Sequence, residues 1–463
     1  MARGKGFFGM NPQTHPPKKV NPLRGGDTKP TDPGSRMAGL PEQDSALTEK
    51  KEDEMKGLKL FFVIMAAALL TLGLSGYAFA FHSGGAAECS GCHSMHAPKD
   101  IASGHLLIAT DGSSACLDCH ERTGDTGPRS YHVSTPGSEL GAGVPPRQVP
   151  PGGDFAWLKK TYTYTERSST ITEQGDTHGH NIVSADKGYT AVTGNSPGGS
   201  YPASMLACGS CHDPHGKARR LSDGTFQVPT VGQTHAPVVA SGSYNNSPIP
   251  ATGEAVGVYR LLAGMNYVSG PVTFTTYPIA VAPSTYNQYE STNQVRVAYG
   301  ASGTNTWGNW CATCHGKMHS NQNYVHPVDQ NLGSRVTANY NAYKKTGDMT
   351  GTSTTAFLSL VPFATNSGDF ATLAALANNN NSVLNGPNAN DQVMCLSCHR
   401  AHASGWVNAI RWDAQTTNLT ENGAWPAAKG RTSAETQRAY YDRPATVFAT
   451  YQKSLCNKCH VQD

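Results

Sequence analysis

The sequence predicts a mostly irregular fold with short helices and few short strands. Gly, Pro, Ser, Thr and Asn dominate the connecting stretches, as in the four asparagines at 378–381, and no long segment has a helical apolar period. All twelve cysteines belong to six copies of one short motif. A chain with so little periodic apolar sequence lacks the means to build a layered core, so we expect groups bound at these motifs to organise the fold.

Each cysteine motif has the form Cys-x-x-Cys-His, and no cysteine is left over. The pattern is typical of c-type haem attachment, because two thiols at this spacing bond the two vinyl groups of one haem while the adjacent imidazole binds its iron. The predicted thioether cysteines are Cys89, Cys92, Cys116, Cys119, Cys208, Cys211, Cys311, Cys314, Cys395, Cys398, Cys456 and Cys459. The predicted proximal iron ligands are His93, His120, His212, His315, His399 and His460.

Two other kinds of site share part of this pattern. Structural zinc sites pair two Cys-x-x-Cys units and need no histidine directly after each unit. A redox-active disulfide needs a thioredoxin-like setting and no particular residue after its second cysteine. Because every copy ends in histidine, the motifs favour six covalently bound haems c, each with its iron, over both alternatives.

Residues 55–80 have the pattern of a secretory signal peptide. Lys56 and Lys59 precede an apolar run at 60–74, and Ala-Phe-Ala follows at 78–80. The run is shorter than the roughly 20 residues of a retained membrane anchor, so we predict cleavage after Ala80 and export through the periplasm to the cell exterior. Residues 1–54 are predicted to be a mis-called or disordered extension, which leaves 81–463 as a hexahaem cytochrome c domain.

The charge of the chain gives no sign of a polyanionic partner. Residues 1–80 hold 11 Lys and Arg against 8 Asp and Glu, which accounts for the whole formal net charge of +3. The remaining chain is balanced before the haem propionates add negative charge. Nucleic acid is therefore not an expected partner.

The order of the motifs gives hints of architecture. Short helices are predicted at 372–377, at 434–441 and around the cysteine motifs, and possible strands at 258–262 and 295–299. Successive proximal histidines are 27, 92, 103, 84 and 61 residues apart, so the chain is no tandem array of identical modules. The first two haems should lie close together, since little chain joins them, and the haems should form most of the core.

The sixth ligand of each iron decides its chemistry. A second histidine or a methionine closes the iron for electron transfer, whereas an open position permits catalysis. His96, His215 and His402 each follow a proximal histidine by three residues, a spacing that places both imidazoles on one surface of a helical turn. Because the vacancy of that haem lies on its opposite face, each of these histidines should bind a different haem.

Other histidines and two methionines compete for the same positions. His319, four residues past His315, could act in the same way, although His326 before a proline competes with it. The histidines ranked lowest are His105, His178 and His235. The methionine alternatives are Met95 and Met318.

Further segments of the chain form a recognisable series. In order they are Phe-His-Ser-Gly-Gly at 81–85, then 89–96, 124–128, 131–132, 151–155, 179–183, 208–217, 282–287, 343–345, 395–405 and 455–460. Together they resemble the filament-forming hexahaem c-type cytochromes on the outer surface of metal-reducing bacteria, the extracellular cytochrome nanowire family. The resemblance includes none of residues 1–54, and the segments 221–250 and 412–431 diverge from it.

The resemblance implies a homopolymer in which stacked haems form one continuous chain and two histidines hold every iron. It further implies that His96 ligates the haem of Cys395, Cys398 and His399 in the next subunit. The distal candidates in family-like segments are His82, His96, His132, His180, His215, His326 and His402, with His319 a looser match. There are more candidates than vacancies, so at least one of them is not a ligand.

Extracellular electron transfer through a filament is the favoured function, with other multihaem cytochromes or extracellular electron acceptors as partners and no enzymatic activity. A monomeric periplasmic electron carrier fits the composition and motifs equally well, and only the resemblance argues for a filament. A multihaem redox enzyme, such as a nitrite or hydroxylamine converter, commonly has an altered motif or a missing distal ligand at its catalytic haem. Here all six motifs end in histidine.

Overall fold

The computed structural model describes residues 89–101, 103–122, 131–228, 236, 238–240, 244–245, 247, 249–284, 290–320 and 326–460. All of them belong to one compact unit. The predicted extension, the signal peptide, His82 and His235 lie outside the described residues. Within the described ranges, no helix combines the length and the apolar character needed to cross a membrane.

The helices are short, and most of the cysteine motifs lie in them. In chain order they are α1 (Cys89–Cys92), α2 (Gly112–His120), α3 (Trp307–Ser320), α4 (Gly333–Ala342), α5 (Phe370–Leu376), α6 (Cys395–Cys398) and α7 (Ser433–Ala439). Motif cysteines occupy α1, α2, α3 and α6, while the other two motifs begin in 3₁₀ turns at Cys208–Ser210 and Leu455–Lys458. The helical turn brings the two thiols of a motif to one side of the backbone.

Side-chain caps start the two helices that the sequence analysis placed away from the motifs. Asp369 accepts a hydrogen bond from the Thr372 amide at 2.6 Å and begins α5. Thr432 accepts one from the Glu435 amide at 3.2 Å, and the Glu435 carboxylate accepts one from the Thr432 amide at 2.9 Å, which completes a capping box at α7. Both predicted helices are thus present, each beginning one or two residues earlier than predicted.

The strands are short and form four small sheets within the described ranges. In chain order they are β1 (Tyr162–Glu166), β2 (Ser169–Glu173), β3 (Arg219–Leu221), β4 (Phe226–Gln227), β5 (Val238–Ala240), β6 (Ala255–Gly257), β7 (Val268–Ser269), β8 (Val272–Thr273), β9 (Ile279–Val281), β10 (Ala298–Gly300) and β11 (Ala364–Thr365). The sheet orders are β1-β2, β4-β3-β6-β5, β7-β8 and β11-β10-β9. The mostly irregular fold predicted from the sequence is confirmed.

One of the two predicted strands is wrong. The predicted strand at 295–299 overlaps β10, but the one at 258–262 is replaced by a 3₁₀ turn at Tyr259–Leu261, directly after β6. Arg260 has a φ of 49° there. This conformation turns the Arg260 carbonyl toward the ring of His212, whose Nδ1 lies 3.0 Å away. The backbone at 258–262 therefore bonds to a motif histidine and does not form a strand.

The chain also builds a core from its own aromatic side chains. The largest cluster of buried residues includes Trp157, Trp406, Trp412, Trp425 and Tyr440, and the rings of Trp425 and Tyr440 stack 4.0 Å apart. Each such side chain buries about 150–250 Å². Because these residues are irregularly spaced, the periodicity analysis missed this core, and the expectation that haems form most of the core understated the contribution of the protein.

Candidate functional site

Most of the motif histidines make the same type of hydrogen bond. In five of the six, Nδ1 lies 2.8–3.0 Å from a backbone carbonyl oxygen: His93 with His105, His120 with Tyr131, His212 with Arg260, His315 with Pro197, and His399 with Asn408. A carbonyl oxygen only accepts, so Nδ1 must carry the proton and Nε2 keeps its lone pair. Metal-ligating histidines are commonly oriented in this way.

Among the described residues, four motif histidines face a second histidine. The ring centroids are 6.4 Å apart for His93 and His215, 6.5 Å for His212 and His402, 6.0 Å for His315 and His180, and 6.2 Å for His460 and His326. Every pair joins one motif histidine to one of the distal candidates chosen from the sequence.

This separation fits an iron ion between the two rings. Imidazoles bound to opposite sides of one metal ion by bonds of about 2 Å have centroids about 6 to 6.5 Å apart. The four observed distances fall between 6.0 and 6.5 Å. The residues present therefore suit a bis-histidine haem.

Hydrogen bonds and burial prepare two of the distal rings for iron. Nδ1 of His180 lies 2.7 Å from the Ala401 carbonyl, and Nδ1 of His402 lies 3.1 Å from the Gly153 carbonyl. Burial, aided by neighbouring histidines, lowers the pKa of His180 to about 4 and that of His402 to about 3. Both rings are thereby kept neutral, the form that binds a metal.

Glycines allow the close backbone contacts around His402. The His402 amide donates to the Gly152 carbonyl at 2.7 Å. Gly153 has a φ of 94°, and a Cβ there would overlap the Ala403 carbonyl. Gly179 pairs with Ala403 in an antiparallel bridge, and a Cβ there would overlap the His402 carbonyl. The Pro-Gly-Gly-Asp loop and Gly179 thus hold the distal ring in place.

Three motifs make the same two hydrogen bonds to a distant segment of the chain, although that segment lies at a different sequence distance in each case. The residue after the motif histidine donates its amide to a distant carbonyl: Ser94 to Leu106 at 2.7 Å, Asp213 to Leu261 at 2.7 Å, and Arg400 to Ala409 at 2.8 Å. In each case the preceding residue of that distant segment supplies the carbonyl for Nδ1 of the motif histidine. These are the three motifs that carry a second histidine three residues later, and we call them the CHxxH units.

The second histidines connect the CHxxH units in series. His402, from the unit of His399, faces His212, and His215, from the unit of His212, faces His93. His96, from the unit of His93, is exposed. No histidine among the described residues faces the ring of His399, so one end of the series offers a ligand and the other end needs one.

Other histidines considered in the sequence analysis have different partners. Nε2 of His319 lies 3.0 Å from Asp329, whose carboxylate also accepts the Gly308 and Asn309 amides at the start of α3. His178 is fully buried, with Nε2 2.7 Å from Glu173 and Nδ1 3.0 Å from a backbone carbonyl.

The remaining side chains lie near the first two motifs or at the surface. His132 is 4% exposed, and the centroid of the Tyr131 ring lies 4.5 Å from that of His132 and 5.5 Å from that of His120. Nδ1 of the exposed His105 lies 2.8 Å from the Ser103 hydroxyl. The methionine alternatives, Met95 and Met318, are 81% and 49% exposed.

The motif cysteines give the order of the six sites in space. Cys116 lies beside Cys208, and Cys311 lies beside Cys395. Cys92 lies near Cys116 and Cys119, Cys211 near Cys314, and Cys398 near Cys456 and Cys459. Each of these neighbours belongs to the next motif, so the motifs follow one another in space in chain order. None of the twelve cysteines forms a disulfide.

Comparison with known proteins identifies the family. The chain is 44% identical over 442 residues to the c-type cytochrome OmcS of Geobacter sulfurreducens, a match that covers 88% of this chain and 100% of the relative. The chain belongs to the OmcS family of c-type cytochromes. As a c-type cytochrome the chain carries haem, and the family predicted from the sequence is confirmed. No protein-family model matches the chain.

Solved OmcS structures have the same fold. The chain resembles a cryo-EM structure of OmcS nanowires from Geobacter sulfurreducens with a TM-score of 0.75 and 43% identity, over 83% of this chain and 100% of the other. A structure of the outer membrane cytochrome S filament from the same organism matches with the same values. The match to the OmcS fold therefore covers 83% of this chain.

Proposed function

We propose that this OmcS-family chain is the subunit of an extracellular filament that conducts electrons through six covalent haems c, every iron bound by two histidines. The observation that carries the proposal is the set of four opposed histidine pairs at 6.0–6.5 Å. Bound at such a pair, haem iron gains and loses single electrons without a vacant site for a substrate. This arrangement favours conduction over catalysis.

The facing pairs support the following proposal for the distal ligands. His215 serves the haem of His93 and His402 that of His212. His180 serves the haem of His315 and His326 that of His460. For the haem of His120, His82 and His132 are the two candidates, and exchange of each side chain distinguishes them.

The series of CHxxH units supports a ligand that crosses the subunit boundary. His96 is exposed at one end of the series, and at the other end His399 directs Nδ1 to the Asn408 carbonyl, 2.8 Å away, and keeps Nε2 for iron. We assign His96 of one subunit to the haem of Cys395, Cys398 and His399 in the next. Polymerisation then repeats between subunits the step that connects these units within the chain.

Secretion through the periplasm completes the proposal, with other multihaem cytochromes or extracellular acceptors exchanging electrons with the filament. The test is electron microscopy of the secreted fraction, combined with mass spectrometry of the intact subunit. We expect filaments of subunits that begin at Phe81 and carry six haems, with only low-spin iron in electron paramagnetic resonance. Single-subunit particles would favour the monomeric carrier instead, and high-spin iron in the assembled protein would favour an enzyme.

A further inference from the structure

A cavity of about 80 Å³ lies behind the segment that orients His399. The residues of its lining that matter here are Glu173, Trp406, Asn408, Asp413, Gln415 and Arg431. The Asn408 carbonyl accepts the hydrogen bond of His399 Nδ1 at 2.8 Å, and Ile410, also in the lining, pairs with His399 in an antiparallel bridge. The cavity therefore borders a segment that contacts His399 directly.

Two buried polar atoms in the cavity wall have no hydrogen-bond partner within the part of the chain that the structure describes. Asp413 is 4% exposed, and its Oδ1 accepts the Gln415 amide at 2.8 Å while its Oδ2 is unpaired. Trp406 is 3% exposed, and its indole Nε1 is also unpaired. Unpaired buried polar groups are costly. A water occupies about 30 Å³, so the cavity has room for water that accepts from Trp406 and donates to Asp413.

The charged groups that face Asp413 form ion pairs with other residues and not with its carboxylate. They are Arg431, Lys429 and Glu173. Glu173 is paired with Arg431 and lies 2.7 Å from Nε2 of His178, and Lys429 lies 3.3 Å from Glu166. Burial raises the pKa of Asp413 and Glu173 adds to this effect, whereas the Gln415 amide, Arg431 and Lys429 oppose it.

We propose that Asp413 is a proton-binding site linked to the oxidation state of the haem at His399. The inference rests on the proposed function, because it needs iron at His399. Asp413 binds one proton from bulk water when that iron gains one electron from the neighbouring haem, since the gain removes one positive charge close to the carboxylate. It releases the proton when the electron leaves. The exposed Gln415 forms part of the cavity wall and gives the proton a short route to solvent.

The linkage predicts how one of the six potentials responds to pH. Ionised Asp413 favours oxidised iron, so the potential of this haem should fall as pH rises through the pKa of Asp413, by up to about a tenfold change in its reduction equilibrium per pH unit. Asp413→Asn mimics the protonated acid. It should keep the potential at its acid-side value and abolish this pH dependence.

The experiment combines redox titration at several pH values with reduced-minus-oxidised infrared spectra of the secreted protein. The wild type should show the carbonyl band of a newly protonated carboxylic acid on reduction. Asp413→Asn should lack both that band and the pH-dependent potential, while haem content and low-spin spectra stay unchanged. Asp223→Asn, in the exposed turn between β3 and β4, is the control and should retain both signals.

The outcomes separate the inference from the proposed function. Peptide mass spectra without haem on 395–399 would defeat the proposed function itself. With haem present, a wild-type spectrum that lacks the carboxylic acid band, or the same band and pH dependence in Asp413→Asn, would overturn the inference alone. If that variant fails to load six haems, Glu173→Gln decides: loss of the neighbouring negative charge should move the pH dependence to lower pH, and an unmoved profile counts against Asp413.

Discussion

His215 faces His93 with ring centroids 6.4 Å apart and ring planes within 14° of parallel. The pair joins the first motif to the third, although the second motif lies between them in the chain. His402 and His212 repeat this relationship between the fifth and third motifs. In both cases the facing histidine comes from the CHxxH unit that follows next along the chain.

Replacing His96 should separate haem loading from assembly. His96→Ala removes the exposed imidazole assigned to the next subunit, and no ligand within its own chain is lost, so we expect six haems per subunit but no filaments. His105→Ala is the matched control, because His105 is an exposed histidine of the same region whose Nδ1 lies 2.8 Å from the Ser103 hydroxyl and 3.9 Å from the Asp100 carboxylate. Negative-stain microscopy and haem quantification provide the readout, and normal filaments from His96→Ala would place the bridging ligand elsewhere.

Exchanging a distal ligand should change one potential. His402→Met replaces the ring that faces His212, and His/Met ligation should raise the potential of that haem by on the order of 0.1 V, within the roughly 0.8 V range that axial ligands cover. His319→Met is the control, since Nε2 of His319 lies 3.0 Å from Asp329. In a spectroelectrochemical titration, an unchanged profile for His402→Met would refute the assignment of this ligand.

Gly153→Ala should destabilise the protein and disturb the same iron. The substitution strains a backbone with a φ of 94° and drives a Cβ into the Ala403 carbonyl, so we expect a loss of at least about 2 kcal/mol in the free energy of unfolding and some high-spin haem. Gly188→Ala is the control, because Gly188 has a φ of 71° but no atom within 4 Å of the added Cβ. It should cost about 1 kcal/mol without high-spin signal, and equal effects of the two variants on the haem would contradict the positioning role.

The sixth ligand of the haem at His120 can be found by two parallel exchanges. Of His82→Met and His132→Met, only the variant at the true ligand should gain the optical and magnetic signature of methionine-bound iron. His132→Met should in any case lower thermal stability, because the side chain is 4% exposed. A signature in neither variant would point to a histidine that the sequence analysis ranked lower.

Residue types and spacing predicted haem attachment at the six motifs and a set of candidate distal histidines, four of which face a motif histidine among the described residues. The spacing of three residues indicated that His215 and His402 serve a haem other than their own, but not which one, because the partner depends on how distant segments fold together. The carbonyls that orient the motif histidines come from residues as different as Pro197 and Arg260. Backbone groups leave no signal in residue type, so sequence reasoning had no means to find them.

The sequence predicted the fold class, but only some of the individual helices and strands. Caps with local sequence signatures, such as Thr432 with Glu435, accompany helices that the sequence analysis found. The strand expected at 258–262 failed because the Arg260 carbonyl serves His212 from a positive φ. Helix α4 has no such signal: its N-cap, Leu332, makes no side-chain capping bond.

The pairing of His93 with a histidine beyond the next motif has a consequence for biogenesis. A chain that crosses a membrane from its N-terminus presents Cys89 and Cys92 to the haem ligation machinery long before His215 emerges. In the proposed arrangement, the first iron then waits with one coordination position open, accessible to small molecules such as nitric oxide or cyanide. Maturation, rather than the finished protein, is therefore the stage at which such poisons should act.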